Sequence, residues 1–294
     1  MIVGGYNTDD DSKLTSVEVI GDKKCPIDNL PYGISLQPQV ILTNDSKILI
    51  CGGSNENQQN CLVLLQNRTW VFHSQLIKIR YDAGAVAMND RVYMLGGSKS
   101  PTTSEFLPTG KTKWQNGPNI PAPGFDYGCV VKKSDFEIIL IGGSKLQKKS
   151  KIFLLDTNKS SWKTLGELRE ARFGHACAVI NGKIVVSGGK IFGYEHLTST
   201  ELISLYDPSE SKLIGHLNEF RAYHGLAVAH INSKLTLLAF GGEKYKNNGE
   251  FKYPQSIEQW IPGEGKWSIL NGLKLSYKRY GFGYRSMPTR ILCP

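Results

Sequence analysis

The chain has 294 residues, 40% of them hydrophobic and 21% charged, which is enough apolar material for a packed core and excludes a disordered chain. Thirty-five Lys and Arg against 26 Asp and Glu leave a net charge of +9, which favours anionic partners, yet no nucleic-acid motif accompanies the basic clusters at Lys145, Lys148, Lys149 and Lys151 and at Lys244, Lys246 and Lys252. No run of 18 apolar residues occurs, so neither a membrane nor a nucleic acid is an expected partner.

In chain order, the first element is the apolar stretch Met1-Ile2-Val3, cut off by Gly4-Gly5. The same event recurs as ILIC before Gly52-Gly53, VYML before Gly96-Gly97, IILI before Gly142-Gly143, IVVS before Gly188-Gly189 and LLAF before Gly241-Gly242. The pairs begin at 4, 52, 96, 142, 188 and 241, so the spacings are 48, 44, 46, 46 and 53 residues. A repeat of this length signals an array of small units, and each short β-branched or aliphatic run reads as a buried strand stopped at a sharp turn. Before most pairs lies another apolar stretch, separated by Asn89-Asp90, Ser134-Asp135, Asn181-Gly182 or Asn232-Ser233, which predicts a hairpin. After the pairs come a polar loop, a third strand such as Ser104–Leu107 or Ser256–Trp260, and a fourth strand marked by Trp70, Trp114, Trp162 or Trp267. Cys25 and Leu213 stand where the first and fifth units should carry this Trp. Such a four-stranded unit cannot bury both faces alone, so neighbours must cover it.

The double glycine, the aromatic or acidic third strand, the Trp about 17 to 26 residues later and an Arg before the next inner strand together resemble the kelch repeat. The resemblance covers essentially the whole chain. It implies an all-β fold: a single six-bladed β-propeller over residues 1–294, with four antiparallel strands per blade. The units fall at about 1–26, 36–73, 83–116, 127–165, 174–215 and 224–270. The segment 279–287 repeats the inner-strand pattern without its own glycine pair. It is expected to join residues 1–5, complete the first blade and close the ring, leaving no radial edge.

Arg80, Arg172, Arg221 and Arg279 each precede an inner strand, with Tyr32 and Gly124 in the corresponding region of the other two units. By the resemblance they lie near the mouth of the central channel, where they either hydrogen-bond neighbouring loops or form a broken cationic ring that reads carboxylate or phosphate. His175 and His224, three residues after Arg172 and Arg221, read as structural, because inner strands of neighbouring blades stand too far apart for a zinc site. Antiparallel pairing brings Cys51 and Cys61 close, making them the candidate disulfide, whereas Cys129 and Cys177 read as small buried residues. Cys25, Cys51, Cys61 and the terminal Cys293 loosely resemble the set in extracellular kelch proteins. No metal site and no cofactor is expected.

By analogy with kelch relatives, the loops at 6–15, 54–59, 98–103, 144–150, 190–199 and 243–255 build one face together with the loops before the inner strands. Tyr6, Tyr194, Tyr223, Tyr245 and Tyr253 fall in such loops, and the longest loop mixes Lys244, Tyr245, Lys246, Lys252 and Tyr253, a composition suited to an acidic partner. The expected function is therefore non-catalytic binding of a protein partner by a monomeric domain, in the cytoplasm or outside the cell. The competing reading is a propeller enzyme or sugar-binding protein of the sialate mutarotase or copper oxidase type. Tyr127 and Cys129 do not reproduce the oxidase constellation, whereas a mutarotase needs little more than a placed acid and base.

Overall fold

A computed structural model describes residues 1–21, 26–54, 59–143, 150–193, 195–245 and 251–292, with the side chains of Tyr245, Thr289 and Arg290 left out. Cys25, Lys145, Lys148, Lys149, Tyr194, Lys246 and Cys293 lie outside the described residues. The described chain is almost entirely β, its one helix being a single turn at Thr289–Leu292, and no helix in it is long and apolar enough to cross a membrane.

Contacts gather the chain into two compact units, residues 1–125 with 281–294, and residues 126–280. In the first unit Ile2–Val3 pairs antiparallel with Val17–Glu18 on one side and Gly283–Tyr284 on the other, with Ile2 opposite Tyr284 and Val3 opposite Gly283. A second sheet runs in the order Gln39–Leu42, Ile48–Cys51, Asn60–Leu64, Trp70–Gln75, and a third in the order Gly84–Ala87, Arg91–Leu95, Ser104–Pro108, Gln115–Asn116. The other unit holds three more four-stranded sheets. The fourth comprises Cys129–Lys132, Glu137–Ile141, Lys151–Asp156 and Ser161–Glu167; the fifth comprises Ala176–Ile180, Lys183–Ser187, Ser199–Ser204 and Ser211–His216. The sixth comprises Gly225–Ile231, Lys234–Phe240, Ser256–Trp260 and Trp267–Lys274. The five four-stranded sheets are antiparallel meanders, each formed from one stretch of chain, whereas the first sheet draws its third strand from residues 283–284.

Local sequence accounts for these turns. Asn181 and Gly182, and Asn232 and Ser233, take φ of 48°, 68°, 49° and 63°, the left-handed pairs that match a two-residue hairpin to the strand twist. The second strands are the driest elements: Ile138, Ile139, Leu140 and Ile141 are fully buried, as a strand covered on both faces requires. Trp70, Trp114 and Trp267 are core, while Trp162 is half-buried. Leu213, at the Trp place of the fifth sheet, lies on a regular outer strand and is 36% exposed.

The six glycine pairs all have positive φ. A Cβ on Gly96 would stand 2.0 Å from the carbonyl oxygen of Phe125, so the pair serves close backbone approach. Cys51 and Cys61 face each other across one register pair and are bonded. Cys129 and Cys177 are also bonded, which corrects their reading as isolated buried thiols: the inner strands of the fourth and fifth sheets pass within a Cα separation of 5.9 Å, inside bridging range.

Candidate functional site

Within a sheet, the loop that follows the glycine pair meets the loop that enters the inner strand, joined by bridges such as Ser35 to Ser54 in one unit and Phe173 to Lys190 and Ala222 to Glu243 in the other. Hydrogen bonds at these loops repeat from sheet to sheet. The second glycine N–H of a pair donates to the carbonyl of the residue that leads the next inner strand: Gly53 to Arg80, Gly143 to Arg172, Gly189 to Arg221 and Gly242 to Arg279, at 2.8 to 3.2 Å. The same bond runs from Gly5 to Ile34 and from Gly97 to Phe125. Ile34 and Phe125, not Tyr32 and Gly124, are thus the counterparts of the arginines.

Arg80, Arg172, Arg221 and Arg279 are buried, none more than 2% exposed. Arg80 Nε donates to Glu105 Oε1 at 2.5 Å and its Nη1 to the carbonyl of Gly96 at 2.6 Å. Arg172 reaches Glu201 at 2.8 Å and the Gly188 carbonyl at 2.9 Å; Arg221 reaches Glu258 and the Gly241 carbonyl, each at 2.9 Å. Each glutamate also accepts loop N–H groups: Ile77 on Glu105, Arg169 and Glu170 on Glu201, Asn218 and Glu219 on Glu258. Arg80, Arg172 and Arg221 therefore each bond the preceding sheet through the carbonyl and their own sheet through the guanidinium. Burial pulls the Arg80 and Arg172 guanidinia below their usual range, opposed by the carboxylates beside them. A guanidinium stays ionised through such a shift, and its paired charge is held for structure.

The inner loops share a second pattern. Two residues after each arginine or its counterpart the backbone is left-handed, at Leu36, Asp82, Tyr127, Gly174, Tyr223 and Gly281. Three successive pairs are joined by N–H to carbonyl bonds, Asp82 to Leu36 at 3.1 Å, Gly174 to Tyr127 at 2.6 Å and Tyr223 to Gly174 at 2.7 Å, and Gln37, next to Leu36, donates to Gly281 at 2.7 Å. A Tyr at φ 53° is an unusual residue for this region, and such conformations concentrate at functional positions.

Around Tyr223, Lys190 and Glu243 form a buried ion pair, with His196 Nε2 3.9 Å from the carboxylate. Burial pushes the Glu243 carboxyl up, but His196 and Lys190 outweigh it and hold it below its usual value. The Lys190 ammonium lies 4.9 Å from the Tyr223 ring centroid, a cation–π contact. Lys244 Nζ bonds Glu219 Oε1 at 2.8 Å, and Lys244–Tyr245 pairs with Phe251–Lys252 to form a hairpin. Tyr245 stands opposite Phe251 in that register, and its side chain lies outside the described residues.

His175 and His224 are buried and neutral: burial, with the Arg172 charge, takes His175 down to about 3, and burial takes His224 well below its usual value. Their Nε2 atoms meet the Ile141 carbonyl at 3.1 Å and Ser187 Oγ at 3.0 Å. Among the described residues no three His, Cys, Asp or Glu side chains converge on a point that could hold a metal ion.

Sequence reasoning missed the glutamates, although the signal was present. In register, two residues before each glycine pair, the partner strand carries Glu18, Leu62, Glu105, Phe153, Glu201 and Glu258. The two units without the arginine are those without the glutamate. The pair Lys190 and Glu243, each two residues beyond the start of a glycine pair, was missed for want of any such repetition.

No protein-family model matches the chain. Curated relatives do. Alpha-scruin of Limulus polyphemus is 26% identical over 178 residues, which is 56% of this chain and 19% of that protein. Kelch-like protein 23 of Homo sapiens is 22% identical over 236 residues, 76% of this chain and 41% of that protein. An F-box/kelch-repeat protein of Arabidopsis thaliana is 33% identical over 96 residues, 31% of this chain and 24% of that protein. The chain thus spans about a fifth to two fifths of the length of these relatives. Repeated four-stranded sheets, paired glycines at each second strand and relatives of one repeat type agree: the chain is a kelch-repeat protein.

Proposed function

We propose that this chain is a non-catalytic protein-interaction module, a six-bladed kelch-type propeller closed by its last strand, which binds a partner at the end where the glycine-pair loops and inner loops meet. The observation that carries the reading is the division of labour there: arginine, glutamate and backbone bonds fix the loops from beneath, while half-buried tyrosines and the hairpin bearing Lys244 and Lys252 face outward. Arg80, Arg172, Arg221 and Arg279 serve binding by holding loop geometry. The positive charge offered to an acidic segment comes from exposed lysines such as Lys252, in keeping with the net charge of +9, while Lys244 is held in place by Glu219. Pairing of Gly283–Tyr284 with Ile2–Val3 supports the closed reading. Two disulfides support an oxidising compartment.

The test is site-specific photocrosslinking. A benzoylphenylalanine at Lys244 is expected to trap the partner, and one at Lys159, on the opposite turn of the fourth sheet, is not. Equal trapping at both positions, or trapping at Lys159 alone, overturns the reading.

A further inference from the structure

Three Asn-x-Ser/Thr sequons occur, at Asn44, Asn67 and Asn158. A chain with this much Asn, Ser and Thr holds about two by chance, so placement decides what they can do. All three fall on hairpin turns: Asn44 between the first and second strands of the second sheet, Asn67 between its third and fourth, and Asn158 between the third and fourth strands of the fourth sheet. In an antiparallel meander these turns lie at the end of the sheet opposite the glycine pair, which follows the second strand. The side-chain amides differ. Asn67 Oδ1 accepts the Thr69 hydroxyl at 2.8 Å and the Thr69 N–H at 3.3 Å, while its Nδ2, like that of Asn158, donates to no neighbour among the described residues. Asn44 Nδ2 instead donates to the carbonyls of Met88 and Asn89, at 2.9 Å each, and so ties its turn to a hairpin turn of the third sheet. The surroundings divide the same way. Leu65 in the Asn67 turn, with Val71 and Phe72 just after it on the outer strand, is exposed, Phe72 to 59%. Phe136, whose carbonyl accepts the Thr157 N–H at 2.8 Å, is 54% exposed beside Asn158. The Asn44 turn, residues 43–47, carries no large apolar side chain.

We propose that Asn67 and Asn158 carry N-linked glycans and that Asn44 does not, a proposal that rests on the oxidising compartment read from the two disulfides and not on the partner. In the transfer, Asn Nδ2 attacks the anomeric carbon of a lipid-diphosphate-linked oligosaccharide held by an oligosaccharyltransferase. The nitrogen–carbon bond forms, the carbon–oxygen bond to the diphosphate breaks, the lipid diphosphate leaves, and one Nδ2 proton passes to a base of the transferase; nothing is oxidised or reduced. The bond from Thr69 to Asn67 spans two residues, so the turn that presents the acceptor needs no assembled sheet. A glycan is bulky and solubilising. Beside Phe72 it covers apolar surface on a free sheet edge that otherwise invites pairing with another chain, and beside Phe136 it covers an exposed ring. On Asn44 it would occupy the nitrogen that holds the neighbouring turn, with no apolar surface there to cover. Glycans at both acceptors leave the loop end of their sheets open.

The test uses the protein purified from its own cells, alkylated without reduction and then treated with peptide N-glycosidase in heavy-oxygen water, which converts each glycosylated Asn into a heavy-oxygen Asp. Mass spectrometry of the proteolytic peptides is expected to show that label at Asn67 and Asn158 and unmodified Asn at Asn44, with Cys51 and Cys61 resistant to alkylation. Thr69→Ala, produced in the same cells, keeps Asn67 but removes the hydroxyl of its sequon, and is expected to lose the label at Asn67 while keeping it at Asn158. Unmodified Asn67 or Asn158, labelling of Asn44 to the same extent, or a label at Asn67 that survives Thr69→Ala overturns the proposal. Where Cys51 and Cys61 still resist alkylation, the oxidising compartment stands and the glycans alone are refuted; where both are alkylated, the compartment falls and the glycans with it. Trapping of the partner at Lys244 is unaffected by either result.

Discussion

The third and fifth sheets are fastened differently from the second and fourth, although all four come from one repeat. In the third and fifth a buried arginine and glutamate lock inner loop to third strand, as Arg80 with Glu105 and Arg172 with Glu201. In the second and fourth the same two places hold Ile34 with Leu62 and Phe125 with Phe153, all apolar and almost fully buried. Pro31 and Pro123 stand in the loops ahead of Ile34 and Phe125, where residues such as Ile77 and Glu170 donate N–H groups to the carboxylates; the donor disappears with its acceptor. Both apolar sheets carry a disulfide cysteine, Cys51 and Cys61 in the second and Cys129 in the fourth. These places are thus filled either by a bonded ion pair or by apolar side chains at both, and a mixture would leave a buried charge without its partner.

That contrast breaks most severely when one partner is removed. Glu105→Ala leaves the buried Arg80 guanidinium, and the Ile77 N–H, without their carboxylate, and is expected to cost about 3–5 kcal/mol, read as a lowered midpoint in urea denaturation. A loss below about 1 kcal/mol would show that water reaches the site.

The covalent fasteners come next. Cys129→Ser with Cys177→Ser opens a link spanning 48 residues and is expected to cost about 4 kcal/mol, against about 3 kcal/mol for Cys51→Ser with Cys61→Ser, whose link spans 10. Thermal melts of both double variants, and of the wild type under reducing conditions, order the two losses. The reverse order would mean that residual structure in the unfolded chain decides the outcome.

Acid acts on both compact units, on His73 in one and on two more deeply buried histidines in the other. His175 and His224 belong to the unit of residues 126–280, and the equivalent places in the other unit are Gln37, Ala83 and Phe282. Both histidines stay neutral in the folded chain well below the range in which an unfolded histidine takes up a proton. Their contribution is complete above about pH 6.5. Below it the unfolded state binds the extra protons, so stability falls by about 1.4 kcal/mol per pH unit for each histidine until the folded group titrates, for His175 at about 3. Denaturation midpoints between pH 7 and pH 5 should show this slope, and His175→Phe with His224→Phe should flatten it. A slope that survives in the double variant belongs to other groups, since Glu243, held low, loses its contribution only as pH falls below the usual carboxylate range.

The sheets were legible because their signals are local and repeated: a glycine pair every 44 to 53 residues, hairpin dipeptides and a recurring Trp. The arginines were legible as a set, but their charge state in context was not, because the glutamates that neutralise them lie 25 to 37 residues away and are identified only by register. The Cys129–Cys177 bond and the Lys190–Glu243 pair join different repeats and occur once each, so no periodicity announces them. Tyr223 could be picked out as a loop aromatic, whereas its left-handed backbone depends on the belt of bonds through Gly174.

The smallest expected effect tests the comparison most sharply. Arg80→Ile with Glu105→Leu rebuilds the third sheet in the image of the second, where Ile34 and Leu62 occupy those places. The ion pair and its desolvation cost vanish together, Ile77 is 38% exposed and can give its N–H to water, and the carbonyls of Gly96 and Thr103 are the acceptors that lose the guanidinium, the Thr103 carbonyl keeping the Gly96 N–H. Replacing a buried pair by apolar groups of similar volume is commonly near neutral, so the double variant should lie within about 1 kcal/mol of the wild type, while either single substitution loses several times more. A double variant as unstable as the singles would show that the arginine's bonds to backbone carbonyls, rather than its glutamate, carry the third sheet, and would make the two kinds of sheet unequal in kind rather than alternative solutions of one constraint.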